Sequence, residues 1–222
     1  MRDHVKRRHI PRLAVTGGIG SGKSTALAYL RELGAATISS DDLVHQLLSR
    51  PEIVERVRDR FGDVVVAGGE IDRRALGRLA FAGDEQVEWL EGLLHPHVVR
   101  EIDAWADEQA SLPSPPALIV AEVPLLFESG FDQHFDYVML VTAPEATRRK
   151  RLTSKLTESE FSRRSNRQMS EEDKAPRSDF VFENGGSRLG LKEFVGETYA
   201  YIISSGEPRR QPAERPLGRG RA

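Results

Sequence analysis

The stretch TGGIGSGKST, residues 16–25, constrains this chain more than any other. Gly17, Gly22, Lys23 and Ser24 fit the spacing G-x-x-x-x-G-K-[ST], which suits a loop that wraps nucleotide phosphates. Such a loop works in one setting, between a buried strand and the start of a helix. The glycines, Gly18 and Gly20 among them, let backbone N–H groups converge on the phosphates together with that of Ser21. The helix N-terminus adds its partial positive charge. The apolar run RLAVT (12–16) precedes the motif, and a helix over 22–33 follows with Ala26, Leu27, Leu30 and Leu33 on one stripe. Lys23 is expected at the β- and γ-phosphates, Ser24 on Mg²⁺ and Thr25 at the α-phosphate. The motif specifies a nucleoside triphosphate but does not separate kinases from switches and motors.

The rest of the chain supplies a sheet for that loop to sit on. AATIS (35–39), ALIVAEV (117–123), YVMLVT (137–142) and DFVFE (179–183) are short apolar runs, as expected of strands covered on both faces. Helical patterns separate them, one starting at DDLVHQLLS and another over 188–204. Alternation of this kind predicts an α/β fold, a doubly wound parallel sheet of the P-loop kinase type. Residues 51–112 break the rhythm. They are expected to be mostly helical, over 51–60, 72–82 and 84–110, with the last helix interrupted at Pro96. Such an insertion suits a helical subdomain that binds the acceptor. The cation-rich segment 145–177 is expected to be a lid that brings one or two positive charges to the transferred phosphoryl group. Its leading candidates are Arg151 and Arg164.

Composition narrows the function further. Hydrophobic residues make up 39% and charged residues 30% of the 222, which is ordinary for a globular chain. There is no cysteine, so disulfide and thiolate chemistry are excluded. The net charge of −2 gives no argument for nucleic acid as a partner. No apolar run is long enough for a membrane span, and the basic N-terminus leads into a strand rather than a signal-peptide core, so a cytoplasmic protein is expected. The basic arm 1–11 and the Pro-, Gly- and Arg-rich tail 205–222 are expected to be disordered, flanking one kinase domain over 12–204.

A phosphoryl-transfer enzyme must also position its nucleophile. Asp41 directly follows the second strand and can face the γ-phosphate; as a helix N-cap it would have an equally ordinary explanation. Asp42 begins the helix, and His45 lies one turn beyond Asp41 on the same face. Glu122 ends the third apolar run, where a second acidic residue stands near Mg²⁺ behind its direct ligands. Glu128 leaves the strand edge toward the expected cleft. On these residues alone the chain is a small-molecule kinase, acting for instance on a nucleoside or a sugar, or a non-catalytic nucleotide switch.

Five motifs in order resemble the dephospho-coenzyme A kinase family: LAVTGGIGSGKST, SDDLVH, LLHPHV (93–98), EVPLLFE (122–128) and RQMSEEDKAPRSDFVFENGG (167–186). The resemblance spans about Arg12 to Tyr201. It implies ATP as donor, the 3′-hydroxyl of dephospho-coenzyme A as acceptor, and Asp41 as the catalytic aspartate. It also implies Mg²⁺ with the nucleotide, and His45, His95, Glu128 and Lys174 on the acceptor side. Gln168, Asp179 and Asn184 fall at the family's spacing. The chain departs from the family pattern in three places. It has Ser39-Ser40-Asp41 where Asp-Ala-Asp is common, Lys155-Leu156 where the lid often carries Arg-Asp-Gly, and Arg148 where glutamine is usual.

Overall fold

A computed structural model describes residues 9–154 and 156–205. The arm, apart from residues 9–11, the tail beyond 205, and Lys155 lie outside the described residues. The elements follow in the order β1 (Arg12–Thr16), α1 (Lys23–Glu32), β2 (Ala36–Ser39), α2 (Ser40–Leu47), α3 (Pro51–Phe61), β3 (Val66–Ala67), β4 (Glu70–Ile71) and α4 (Arg73–Ala80). They continue with α5 (Asp84–Ala110), β5 (Ile119–Glu122), β6 (Tyr137–Thr142), α6 (Glu145–Leu152), α7 (Glu158–Asn166), α8 (Glu171–Lys174), β7 (Phe180–Glu183) and α9 (Arg188–Ser205).

The apolar runs form a parallel five-stranded sheet, in the order β2-β5-β1-β6-β7. Strand β1 is central. Its Leu13 faces Val120 of β5 on one side and Tyr137 of β6 on the other. Residues Leu13 to Thr16 are wholly buried because both neighbours are parallel strands and both faces are covered. Leu13 and Val15 pack with Ala26, Leu27 and Leu30 of α1 and with Leu191, Val195 and Ile202 of α9. The sheet thus fixes where β1 stops, and the phosphate loop begins at that point.

The chain divides into two compact units. One holds the described residues up to Thr37 and from Asp107 on; the other is Ile38–Ala106. The second unit adds a hairpin in the stretch between the expected helices, and one of its helices differs from expectation. Val66–Ala67 and Glu70–Ile71 pair as the antiparallel hairpin. The two turn residues, Gly68 and Gly69, both have positive φ (62° and 87°), as a tight hairpin turn with the right twist requires. Helix α5 runs unbroken through Pro96 for 27 residues. Proline removes one bond of the ladder, and the buried Leu93, Leu94 and Val98 on either side of it hold the two turns in place. Within the same unit, Arg60 pairs with Glu85 and lies over the Trp89 ring, while Arg50 pairs with Glu101 at 2.7 Å. Among the described residues no helix is long and apolar enough to cross a membrane.

Leu30 is fully buried at the centre of the α1–sheet–α9 cluster. Leu30→Ala is expected to lower the unfolding free energy by about 2–5 kcal/mol, measured by urea denaturation. A loss below about 1 kcal/mol would show that the helices can close over the gap.

Candidate active site

The loop 17–25 leaves the buried end of β1 and enters α1 at Lys23. Gly17 has φ 143°, and a Cβ there would run into the Val141 carbonyl oxygen of β6. The clash is with backbone, so no side-chain rotation relieves it. Lys23 is buried, and its Nζ donates to the Gly17 and Gly18 carbonyls at 3.1 Å each. Ser21 is buried too, and its Oγ has no hydrogen-bond partner among the described residues. Ser24 and Thr25 are exposed in the first turn of α1, open to a ligand at the helix N-terminus.

Ser24 Oγ lies 3.5 Å from Oε1 of Glu122, the buried last residue of β5. A hydroxyl backed by a carboxylate is a hard oxygen pair of the kind Mg²⁺ takes. Among the described residues, no group of three or more His, Cys, Asp or Glu side chains is arranged to hold a metal ion.

The side chains that hold the loop in shape come from far along the sequence. Gln168 Oε1 accepts from the Ile19 N–H at 3.0 Å, and its Nε2 lies 3.5 Å from the carbonyls of Gly17 and Pro124. Glu171 Oε1 accepts from the Gly18 N–H at 3.3 Å. Arg151 on α6 donates through Nη1 to the Gly20 and Ser21 carbonyls, and through Nη2 to the carbonyl and side chain of Asn184, all at 3.1–3.2 Å. Asn184, buried just after β7, returns a bond to the Ser21 carbonyl at 2.8 Å. None of these partners is local, so no periodicity in the sequence announces them. Gln168 and Asn184 were legible only through the family motif that carries them, and Glu171 through nothing that marked it.

Two predicted acceptor-side residues meet each other. Lys174 is fully buried, with Nζ 2.9 Å from Glu128 Oε1 and 3.0 Å from the Pro124 carbonyl. Glu128 also accepts from the Met169 N–H at 2.7 Å. The Glu128 side chain is largely covered, so this pair ties the segment before α8 to the chain that follows β5.

The other predicted residues lie elsewhere. Asp41 and Asp42 stand inside the first turn of α2, whose N-cap is Ser39. Asp41 is therefore not the helix cap. It is exposed and has no hydrogen bond or ion pair among the described residues. His45 is exposed one turn on, and His95 is half-buried in α5; all three belong to the unit Ile38–Ala106. Arg164 is exposed on α7, which opens with a Thr157–Glu160 capping box.

The family model for dephospho-CoA kinase matches residues 12–189. The chain belongs to the dephospho-CoA kinase family. The dephospho-CoA kinase of Thermus thermophilus is 39% identical over 200 residues, covering 89% of this chain and 95% of its own length. That of Chlamydia abortus is 37% identical over 195 residues, covering 86% and 96%. The crystal structure of TT1252 from Thermus thermophilus superposes with a TM-score of 0.74 at 35% identity, covering 88% of this chain and 99% of that one. The sheet and loop are accordingly those of a P-loop kinase, and the chain is an ATP-dependent kinase that transfers phosphate to a hydroxyl.

The geometry at Arg151 is that of a strut for the loop. Arg151→Met keeps the aliphatic stem and removes the guanidinium. It is expected to raise KM for ATP about tenfold and to lower Tm by roughly 5 °C, since four carbonyl or amide acceptors lose a charged donor. Thermal melts and steady-state kinetics check this. An unchanged Tm with loss confined to kcat would mean that the guanidinium acts on the transferred phosphoryl instead.

Proposed function

We propose that the chain transfers the γ-phosphoryl group of ATP to the 3′-hydroxyl of dephospho-coenzyme A, giving ADP and coenzyme A. The observation that carries this reading is the loop 17–25, with Lys23 beneath it and Ser24 against Glu122, in a chain of this family. Residues 17–25 would take the triphosphate, with Lys23 moving from the Gly17 and Gly18 carbonyls to the β- and γ-phosphates. Ser24, backed by Glu122, would hold the Mg²⁺ that accompanies the nucleotide and neutralises phosphate charge.

Asp41 is the residue we assign to the acceptor. Its exposure, and the absence of a capping role, leave its carboxylate available to orient the ribose hydroxyl. As the new O–P bond forms and the bond to ADP breaks, the hydroxyl proton passes to this carboxylate. Positioning and charge neutralisation supply most of the acceleration in phosphoryl transfer, so the protein needs little further chemistry. Residues 51–112 are assigned to the acceptor, with His45 and His95 as polar groups of that region, and residues 145–177 to the lid. Of the two lid candidates, Arg164 makes no bond to the loop, and we assign it to the transferred phosphoryl. Both substrates are water-soluble nucleotides, and we read the chain as a cytoplasmic enzyme.

Asp41→Asn is nearly isosteric. It should leave KM for ATP unchanged and lower kcat by about 10²-fold or more, the scale of general base catalysis. A drop below about tenfold would move the base elsewhere, with Glu122 and Glu128 next to be tested.

Acceptor choice tests the function itself. Binding energy from the pantetheine arm and diphosphate should help to hold the ribose in line, so adenosine and AMP lose rate as well as affinity. Steady-state kinetics at saturating Mg·ATP should give each of them about 10²-fold lower kcat/KM than dephospho-coenzyme A, or ~2.7 kcal/mol at 1.36 kcal/mol per decade. Equal kcat/KM for adenosine would point to a nucleoside kinase.

A further inference from the structure

An acidic residue not among those singled out from the sequence lies against the phosphate loop. Glu171 opens α8 with its carboxylate against the loop, and a carboxylate there faces a polyanionic ligand. Like charges at this range repel strongly in a partly desolvated site. Arg148 of α6 stands beside it. Its side chain is 11% exposed and that of Glu171 23%. Arg148 Nε donates to the Ala143 carbonyl at 3.0 Å and lies 3.8 Å from Glu171 Oε1. The guanidinium also lies over the Phe161 ring, 5.7 Å from its centroid.

Both head groups press on one glycine. A Cβ on Gly18 would stand 2.6 Å from Glu171 Oε1 and 2.8 Å from Arg148 Nη1. Gly18 does not have the positive φ of Gly17, Gly20 and Gly22. Its small size therefore makes room for the Arg148–Glu171 pair, not for a special backbone conformation. The carboxylate uses that room to accept the Gly18 N–H.

The charge balance is the critical point. Burial pushes the Glu171 carboxyl above the usual range; Arg148 opposes this most, followed by the amides of Gly18 and Ala143, with Lys23 last. When Lys23 turns to the nucleotide, its charge is shared with phosphate. Arg148 is then the cation left to compensate Glu171.

We propose that Arg148 is a positioning residue that neutralises Glu171, so that this carboxylate can hold the Gly18 amide of the phosphate loop without repelling the nucleotide. The proposal rests on the reading that the triphosphate lies in the loop 17–25. It assigns the pair an effect on nucleotide affinity, not on the transfer step.

The test is a charge cycle read by calorimetric titration of Mg·ATP in the absence of acceptor, so that it does not depend on the acceptor's identity. Arg148→Gln leaves the carboxylate uncompensated and should weaken ATP binding about tenfold or more, as stranding a partly buried charge does. Glu171→Gln alone keeps an oxygen that can accept the Gly18 N–H and should stay within about threefold of the parent. The Arg148→Gln/Glu171→Gln protein should return to within about threefold of the parent, because neither charge is then left alone. With acceptor present, Arg148→Gln should raise KM for ATP by a larger factor than it lowers kcat. A double variant as weak as Arg148→Gln would overturn the proposal, since loss of packing alone is not repaired by removing a second charge. Arg148→Gln binding within about twofold of the parent would overturn it as well. Should Arg148→Gln fail to fold by circular dichroism, Arg148→Lys replaces it. Near-parental affinity then supports the charge role, and weakened affinity that Glu171→Gln leaves unrepaired overturns it. Failure of the loop assignment is told apart by Lys23→Ala. Unchanged ATP affinity in that protein would show that the phosphates lie elsewhere.

Discussion

A loop that gathers phosphate must turn its amides toward the ligand, and every amide turned outward leaves a carbonyl directed into the protein. Those carbonyls need donors, because an unsatisfied buried carbonyl costs as much as a lost hydrogen bond. Here the Gly17 and Gly18 carbonyls take Lys23, those of Gly20 and Ser21 take Arg151, and Ser21 also takes Asn184. The segment from α6 to Asn184 carries two of these donors, Arg151 and Asn184, to the loop. The buried strand β1 fixes where the loop begins, and the Val141 carbonyl leaves room only for glycine at its first position.

A second convergence holds that segment to the sheet. The Pro124 carbonyl, two residues beyond β5, is approached by Thr16 Oγ1 at 3.4 Å, Gln168 Nε2 at 3.5 Å and Lys174 Nζ at 3.0 Å. Lys174 brings a charge into the interior, and its desolvation is offset only by good geometry with Glu128 and this carbonyl. Such a pair adds little net stability over an apolar pair of the same volume. It does specify one arrangement, because breaking it strands a buried ammonium. The chain after β5, the residues before α8 and the phosphate loop are therefore fixed relative to one another through polar groups with directional requirements.

The sequence was informative where the physics is local. Apolar runs marked the strands of the large sheet; in β1, β5 and β6 both faces are covered, so no alternation is needed there. The glycine spacing marked the loop, since the backbone must come close to phosphate. The hairpin at Val66–Ile71 was also within reach, because Gly68-Gly69 between short apolar segments is a turn signal and lies between the expected helices. Pro96 misled in the opposite direction. Its cost is one ladder bond, and flanking burial outweighs that in a long helix. The supports of the loop were not legible in this way. Arg151 lies 131 positions from Gly20, and Gln168 149 positions from Ile19, so only the fold brings them together.

This distance explains why a cation-rich segment could be recognised while its working residues could not. Composition says that 145–177 carries many positive charges, but each charge is defined by what it meets. Arg148 meets Glu171, Arg149 meets Glu145 and Glu158, Lys174 meets Glu128, and Arg151 meets backbone carbonyls and Asn184. A guanidinium that donates to four acceptors cannot swing to a γ-phosphate without leaving those acceptors bare. A side chain with fewer bonds to lose is the better candidate for the charge that follows the phosphoryl group. Arg164 has an exposed head group on a helix whose start is fixed by its own capping box, which gives it freedom at the tip and order at the base. Arg148 and Arg151 are held by partners in and around the loop, whereas the exposed Arg164 is free to respond to a ligand.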